Sequence, residues 1–148
     1  MPQSDDALAV MAVQNAYAEA IDSRDWSALR ACFAPDAAIG FGRPARVGSL
    51  DEFMAWAPGF HDALGPTLHQ VTTHQAQVQG QGATASAYLH AVLVDADGAS
   101  ALTVLGRYDD ELVRGDERGW LIRRRRFTPT WRFRTASSDT APSQGAAS

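Results

Sequence analysis

The chain has 148 residues, which suits one domain built around a single hydrophobic core. Hydrophobic residues make up 45% and charged residues 20% of it, a composition typical of folded globular proteins rather than of disordered ones. The formal net charge of -4 gives no reason to expect a nucleic-acid partner, and the lone Cys32 excludes an internal disulfide and argues against a structural zinc site.

The N-terminal segment predicts no targeting to a membrane or to export. "MPQSDDALAV" lacks the basic region and the apolar stretch of a signal peptide. Further along, no segment reaches the roughly 18 apolar residues that a membrane-spanning helix needs. We therefore expect a cytoplasmic protein that binds neither membranes nor nucleic acid.

Two helices and a strand are predicted in the first part of the chain. Apolar residues recur at helical spacing in "ALAVMAVQNAYAEAI", which predicts a first helix over about residues 5–22. Asp25 can cap a short second helix, "WSALRACF". We expect Pro35 to stop that helix, because proline disfavours a helical conformation of the residue before it. The segment "AAIGFG" then predicts the first strand.

Beyond these elements, a third helix is followed by a change to strand periodicity. Ser49 and Glu52 have the spacing of a capping box that begins the helix, and Pro58 is expected to end or distort it. "LHQVTTHQAQVQ" and "ATASAYLHAVLV" predict a hairpin around "GQG". "ASALTVLGRYDDELVR" and "GWLIRRRRFTPTWRF" predict two more strands around "GDERG".

The order of these elements predicts the fold class and the domain organisation. Helices followed by an antiparallel meander are typical of an α+β fold in which the helices cover one side of the sheet. A strongly curved sheet of this kind encloses a cone-shaped cavity. We expect one domain over residues 1–134 and a flexible tail over residues 135–148, where no apolar residue is larger than alanine or proline.

Asp22 and His69 are the candidates for acid-base chemistry. Asp22 ends the first predicted helix, where the helix dipole disfavours a carboxylate, so a partner elsewhere in the fold is expected. A histidine that donates to a buried carboxylate becomes a better base, and His69 begins the hairpin. The alternatives are a solvent-exposed Asp22 or one paired with Arg24, and a half-buried structural His69. A distance beyond about 3.2 Å between carboxylate and imidazole would contradict the pairing.

Three segments together resemble a known family over about residues 8–131. They are "VQNAYAEAIDSRDWSALRACFAPDAAI", "LHQVTTHQAQVQGQGATASAYLHAVLV" and "GRYDDELVRGDERGWLIRRRRFTPTW". Their order resembles the SnoaL-like branch of the nuclear transport factor 2-like superfamily. The resemblance implies a conical, cystatin-like α+β barrel, with three N-terminal helices packed on a strongly curved, mainly antiparallel sheet. It also implies a deep apolar pocket and, as in most members, no metal or organic cofactor.

Within that superfamily the pattern is most similar to the dehydratase and dehydrohalogenase group, which includes scytalone dehydratase and lindane dehydrochlorinase. In that group an aspartate after the first helix orients a histidine on the sheet, which removes a proton during elimination. By motif position the resemblance assigns these roles to Asp22 and His69. Tyr17 lies just over one helical turn earlier and is the third catalytic candidate, although packing in the core would explain it equally well.

Other histidines depend on strand register. The resemblance suggests His90 as a second site histidine. His90 shares a face with His69 if the numbers of paired residues on the two hairpin strands sum to 163. If the paired numbers sum to 162, the two histidines lie on opposite faces. His74 lies an odd number of positions from His69, so a regular strand would point it to the opposite face. His61 could line the pocket or the surface.

The candidates for substrate binding come from the arginine run and the aromatic residues. Strand alternation divides Arg123 to Arg126 between the two faces, and ion pairs with the acids of "DDE" are the simplest interpretation. Arg124 or Arg126 could nevertheless reach the cavity. The residues expected to bind substrate are His90, Trp26, Phe41, Trp56, Phe60, Arg124 and Trp131.

The sequence therefore favours a cofactor-independent lyase that acts on a small hydrophobic or aromatic substrate through a His-Asp general-base dyad. The reaction would be a dehydration or another elimination with cleavage of a C-C or C-X bond. An isomerase or a polyketide-cyclase-type enzyme with the same dyad, and a non-catalytic binding or assembly subunit, are the alternatives. The resemblance also implies a homodimer or homotrimer that associates through the outer face of the sheet.

Overall fold

The computed structural model of the chain describes residues 2–117 and 119–138. In these residues the helices are α1 (Pro2–Asp22), α2 (Trp26–Ala31) and α3 (Leu50–Asp62). The strands are β1 (Phe33–Phe41), β2 (Arg46–Ser49), β3 (Thr67–Gln79), β4 (Gly82–Val94), β5 (Ser100–Arg114) and β6 (Trp120–Ala136). The fold is α+β, as the sequence predicts.

The six strands form one mixed sheet in the order β2-β1-β6-β5-β4-β3. All neighbouring strands are antiparallel except β1 and β6, which are parallel. The sheet is curled but not closed, because β2 and β3 remain as its edges. The hydrophobic core lies between the helices and one face of this sheet, which we call the inner face.

Capping residues begin two of the helices where the sequence predicts. The carboxylate of Asp25 accepts a hydrogen bond from the backbone N–H of Ala28 over 2.9 Å. Ser49 and Glu52 form both hydrogen bonds of the capping box that begins α3. Pro58 does not end α3, which continues to Asp62.

The region between α2 and α3 differs from the prediction. β1 begins at Phe33 and contains Pro35, whereas the sequence predicts a helix through Phe33 that Pro35 stops. Burial of Phe33 in the core favours the strand, and the β1–β6 pairing shifts between Phe33 and Ala38, where proline offers no N–H to the ladder. The short edge strand β2 was not predicted, because its only large apolar residue is Val47.

A bulge in β3 changes which side chains face the helices. The pairing with β4 shifts between Thr72 and Gln75, and Thr73 within this stretch has a left-handed backbone with φ of 53°. An extra residue in one strand reverses the alternation of faces beyond it. His74 consequently lies on the same inner face as His69, and the prediction that it lies on the opposite, outward or interfacial side is wrong.

A second irregularity has the same effect in β6. Ile122 and Arg124 pair with the adjacent β5 residues Leu112 and Glu111, so Arg123 between them is an extra residue in β6. Arg125 is therefore turned into the core, where it is 1% exposed, while Arg124 and Arg126 point outward. The predicted division of the run into two pairs does not occur.

The C-terminal strand is longer than the sequence predicts. Thr135 and Ala136 pair with Ala101 and Ser100 of β5, so the first two residues of the predicted tail belong to β6. The part of the tail from residue 139 onward lies outside the described residues. None of the helices in the described part of the chain is long and apolar enough to cross a membrane.

Candidate functional site

The carboxylate of Asp22, at the C-terminal end of α1, contacts the start of β3. Its Oδ1 accepts hydrogen bonds from Nδ1 of His69 over 2.7 Å and from the hydroxyl of Thr67 over 2.9 Å. Its Oδ2 accepts the backbone N–H of His69 over 2.7 Å. The predicted contact between Asp22 and His69 is therefore present, and the carboxylate accepts three hydrogen bonds from one strand.

Arg24 holds the end of α1 against this strand. Its backbone is left-handed, with φ of 60°, which turns the chain out of the helix. One guanidinium nitrogen, Nη1, donates to the carbonyl of Ile21 over 2.9 Å and to Oγ1 of Thr67 over 2.8 Å. The other, Nη2, donates to the carbonyl of Gly65 over 2.9 Å. A cation at a helix C-terminus also compensates the helix dipole that disfavours Asp22.

The chemistry of these partners fixes the direction of each hydrogen bond. A guanidinium group can only donate, so Oγ1 of Thr67 accepts from Arg24 and its own proton is directed to Asp22. An ionised carboxylate can only accept, so the contact with Asp22 places the imidazole proton of His69 on Nδ1. The lone pair of Nε2 is then available to take a proton.

The net effect on the pKa of Asp22 is a decrease. Partial burial raises the pKa of this carboxyl, but the hydrogen bonds from the side chain and backbone of His69 outweigh burial, with help from Thr67. Asp22 is therefore ionised at neutral pH. An ionised carboxylate beside Nδ1 stabilises the imidazolium that forms when Nε2 accepts a proton.

The imidazole of His69 lies in a largely enclosed position beside a second histidine. Its side chain is 7% exposed, and its ring centroid is 5.8 Å from that of His61 on α3. His61 is also buried, and its ring lies 6.1 Å from Trp26 and 5.1 Å from Phe60. The structure thus settles the position of His61, which faces inward.

A series of aromatic rings extends from His69 to the surface. Beyond Phe60 the ring centroids of Trp56 and Phe41 follow at 6.3 Å and 5.7 Å. Phe41 and Trp56 border a recess of about 290 Å³ between α3 and the β1–β2 hairpin. Phe60 and Trp56 are about half exposed, so a ligand can reach the outer end of the series. Four of the predicted binding residues therefore lie along this line or beside it: Trp26, Phe41, Trp56 and Phe60.

Three other predicted binding residues lie on the opposite, outer face of the sheet. His69 pairs with Ala91, so the adjacent His90 projects to the other side and neither of the two predicted registers is formed. Trp131, which is 64% exposed, shares the outer face with His90. Arg124 is exposed there in an ion pair with Glu111. The predictions that His90, Trp131 and Arg124 line the site are wrong, because strand register and the β6 irregularity direct them outward.

Tyr17, the third catalytic candidate, lies in the core. It is 2% exposed, and the guanidinium carbon of Arg125 lies 4.2 Å from its ring centroid. Burial raises the pKa of Tyr17, so the phenol stays protonated. The ring contacts of Tyr17 are with the core residues Phe33, Phe53 and Tyr108, and its catalytic role stays a prediction.

Arg125 belongs to a buried polar network on the inner face. It forms two hydrogen bonds of 2.8 Å and 2.7 Å with the carboxylate of Asp110. Asp110 also accepts from the amide of Gln14, whose oxygen accepts from Nδ1 of His74, each over 2.8 Å. The network links α1 to β3, β5 and β6. Arg125 was not predicted as a buried residue, because the β6 irregularity is not visible in the residue pattern.

Thr67 and Arg24 were also missed as site residues. The sequence places Thr67 two positions before His69 on the same face of a strand, and this spacing could have indicated it. The contacts of Arg24 depend on its left-handed backbone, which the sequence does not reveal. In the residues that the structure describes, no group of three or more His, Cys, Asp or Glu side chains could hold a metal ion.

Residues 2–126 match the family model described as the SnoaL-like domain. No curated protein matches the chain. Among solved structures, the Kfla4162 protein from Kribbella flavida is 22% identical, with 88% of this chain and 94% of that chain covered and a TM-score of 0.78. A protein from Novosphingobium aromaticivorans, provisionally described as an aromatic ring hydroxylase, is 27% identical over 90% and 94% of the two chains, with a TM-score of 0.74.

A second Novosphingobium aromaticivorans protein, provisionally described as a scytalone dehydratase, is 19% identical over 88% and 90% of the two chains, with a TM-score of 0.77. Other similar structures are described as cystatin-like or as nuclear transport factor 2-like. The predicted nuclear transport factor 2-like fold is therefore confirmed.

Proposed function

Since the chain belongs to the SnoaL-like domain family, we propose that it is a cofactor-independent lyase in which His69 and Asp22 form a general-base dyad. The observation that carries this proposal is the hydrogen bonding of Asp22, which accepts the Nδ1 proton of His69 over 2.7 Å and two further donors. These contacts leave Nε2 of His69 as the basic atom. The substrate in this proposal is a small hydrophobic or aromatic molecule.

The proposed reaction is an elimination with one base. Nε2 of His69 takes a proton from a carbon of the substrate, and the electrons of the C–H bond form a C=C bond as the bond to the leaving group breaks. The imidazolium, stabilised by Asp22, then returns the proton to the departing hydroxide or halide. General-base catalysis of this kind typically contributes about 10²-fold to 10⁴-fold, and positioning of the substrate adds to it.

The aromatic series supports the proposed substrate class. Flat rings at centroid separations between 5.1 Å and 6.3 Å leading to His69 provide surfaces on which an aromatic or hydrophobic molecule can pack. The solved dehydratase-like neighbour at 19% identity agrees with an elimination but shows only the common fold.

The first test is turnover of a set of small aromatic compounds that carry a hydroxyl or halide next to an acidic C–H bond. Mass spectrometry identifies the products, because elimination loses water or hydrogen halide whereas isomerisation or cyclisation by the same dyad conserves mass. We expect His69→Ala to lower kcat/KM by at least about 10²-fold and Asp22→Asn to lower it strongly as well. His90→Ala is the matched control, since His90 lies on the outer face. Equal turnover in wild type and His69→Ala would sink the proposal.

A non-catalytic subunit is the second candidate function. It is favoured by the 27% identical neighbour that is provisionally described as an aromatic ring hydroxylase, since an oligomeric oxygenase can contain subunits that serve only assembly. The two candidates differ in what the purified chain does alone. A lyase turns over substrate without other proteins, whereas an assembly subunit requires a larger partner for any activity.

A further inference from the structure

His61 is a buried histidine that the proposed mechanism does not use. It lies near the C-terminal end of α3, is 7% exposed, and has its ring 5.8 Å from that of His69. Two histidine rings from different elements, one on a helix and one on the sheet, thus meet at the end of the aromatic series.

The hydrogen bond of His61 fixes the position of its proton. Nδ1 lies 2.8 Å from the carbonyl oxygen of Ala57, and a carbonyl can only accept, so Nδ1 carries the proton. Burial lowers the pKa of His61 and favours the neutral ring, whose Nε2 then has a free lone pair. His69 has the same arrangement, with its Nδ1 proton directed to Asp22.

Within the described residues, the Nε2 atoms of both histidines are unpaired and not completely buried, although each side chain is only about 7% exposed. Neither receives a hydrogen bond from the part of the chain that the structure describes, and neither is among the fully buried polar atoms without a partner there. The donors around Asp22 are already engaged, since Thr67 donates to Asp22 and the guanidinium of Arg24 donates to three protein oxygens. The two histidines therefore present acceptors, and a ligand that satisfies them must supply donors.

We propose that His61 and His69 form one ligand site for a neutral aromatic molecule that carries a hydroxyl group. The hydroxyl donates to Nε2 of His61, while the ring packs against Phe60 and Trp56 and presents its reacting C–H bond to Nε2 of His69. A neutral hydroxyl is favoured because both Nε2 atoms are acceptors, and an ionised phenolate would have no proton to donate to them. The role of His69 rests on the proposed function, whereas the role of His61 in binding can be measured without turnover.

The test compares two aromatic probes that differ in one donor. 2-Naphthol has a hydroxyl group and 2-methoxynaphthalene does not, and both are neutral at pH 7. Their dissociation constants are measured by calorimetry with wild type, His61→Phe and His61→Gln. Phenylalanine keeps a ring beside Trp26 and Phe60 but removes the acceptor, and glutamine keeps an acceptor. Nitrogen-15 NMR of the histidine side chains reports which Nε2 atom the probe contacts, and thermal melting checks that each variant folds.

We expect 2-naphthol to bind wild type and to bind His61→Phe about five to ten times more weakly, the usual cost of one lost hydrogen bond. His61→Gln should recover part of the loss, and the affinity for 2-methoxynaphthalene should not differ between variants. Both Nε2 resonances should shift on binding of 2-naphthol.

Three results would overturn the inference: no binding of 2-naphthol to wild type, equal affinity of wild type and His61→Phe for it, or a shift of the His69 resonance alone. The last of these would leave the proposed lyase function standing. Conversely, the expected binding pattern together with full turnover by His69→Ala would support the hydroxyl site and refute the lyase.

Discussion

Asp22 illustrates how a single residue can be unfavourable in its own helix and favourable in the fold. At the C-terminal end of α1 the helix dipole repels its carboxylate, yet three donated hydrogen bonds from Thr67 and His69 lower its pKa. Its charge therefore contributes to holding α1 against β3. The same contacts set the tautomer of His69, so stability and the proposed chemistry depend on one carboxylate.

The pH dependence of stability should reveal this carboxylate. Because the folded-state pKa of Asp22 lies below its ordinary value of 3.8, its ionised form stabilises the folded protein above that pH. This contribution is lost as the pH falls through the lowered folded-state pKa. We expect the free energy of unfolding of wild type to exceed that of Asp22→Asn most clearly near neutral pH, and the difference to shrink below pH 3.8. Urea unfolding at several pH values measures it, and a difference independent of pH would contradict the prediction.

Thr67 offers a finer test of the same carboxylate. Thr67→Val keeps the shape of the side chain but removes the donor to Asp22 and the acceptor for Arg24. The pKa of Asp22 should rise in this variant, because the ionised form loses one hydrogen bond. Thr67→Ser, which keeps the hydroxyl, should leave the pKa close to that of wild type. A carbon-13 NMR titration of the Asp22 carboxyl compares the three proteins.

Arg125 should be the side chain whose removal costs most stability among the polar residues discussed above. It is 1% exposed, paired with Asp110 and in contact with the rings of Tyr17 and Tyr108. Arg125→Met leaves a buried carboxylate without its cation, so we expect a loss of about 3–5 kcal/mol in the free energy of unfolding. The double variant Arg125→Met/Asp110→Leu should recover part of that loss in chemical denaturation. Equal stability of the single variant and wild type would show that the pair contributes nothing.

At the scale of elements, caps and periodicity were visible in the sequence and strand irregularities were not. The capping box of α3 and the β3–β4 hairpin form as predicted, because each is encoded by neighbouring residues. The faces of His74 and Arg125 were predicted wrongly, because one inserted residue in a strand reverses the alternation and leaves no mark in the composition. The pairing of Asp22 with His69 was predicted from the resemblance to the dehydratase group, and β3 has no irregularity before His69 that would turn its ring away.

The bulge in β3 can be tested at Thr73. This residue has φ of 53°, a conformation that is strained for a β-branched side chain and free of strain for glycine. We expect Thr73→Gly to be neutral or to stabilise the protein by up to about 1 kcal/mol, despite the greater flexibility of glycine in the unfolded chain. The matched variant Thr72→Gly, at a position paired with Tyr88, should destabilise it. Thermal unfolding ranks the two variants, and the opposite order would contradict the assigned bulge.

At the scale of the whole molecule, the outer face of the sheet is divided into a charged half and an apolar half. The charged half carries ion pairs such as Arg107 with Asp109 and Arg124 with Glu111. The apolar half carries the exposed side chains Leu68, Trp131 and Phe133, and Tyr88 lies at its border, where it pairs with Arg107. Neighbouring exposed apolar residues of this size on a sheet face are typical of an interface. This half of the outer face is where we propose that the expected homodimer or homotrimer forms.

Trp131→Glu tests that assembly. Trp131 is 64% exposed and pairs with Leu105 in the apolar half, so a carboxylate at this position would be buried without a partner in a dimer or trimer. We expect light scattering at micromolar concentrations to show an oligomer for wild type and a monomer for Trp131→Glu. Gln77→Glu introduces the same charge in the charged half, in the row of Thr84 and Glu111, and should leave the oligomer intact. A wild-type monomer, or equal dissociation of both variants, would contradict the proposed interface. Asp22 and His69 lie on the inner face, so the Trp131→Glu monomer should also keep the hydrogen bond between them. The tautomer of His69, measured by NMR, shows whether this hydrogen bond is intact. The measurement therefore distinguishes a loss of assembly from damage to the site.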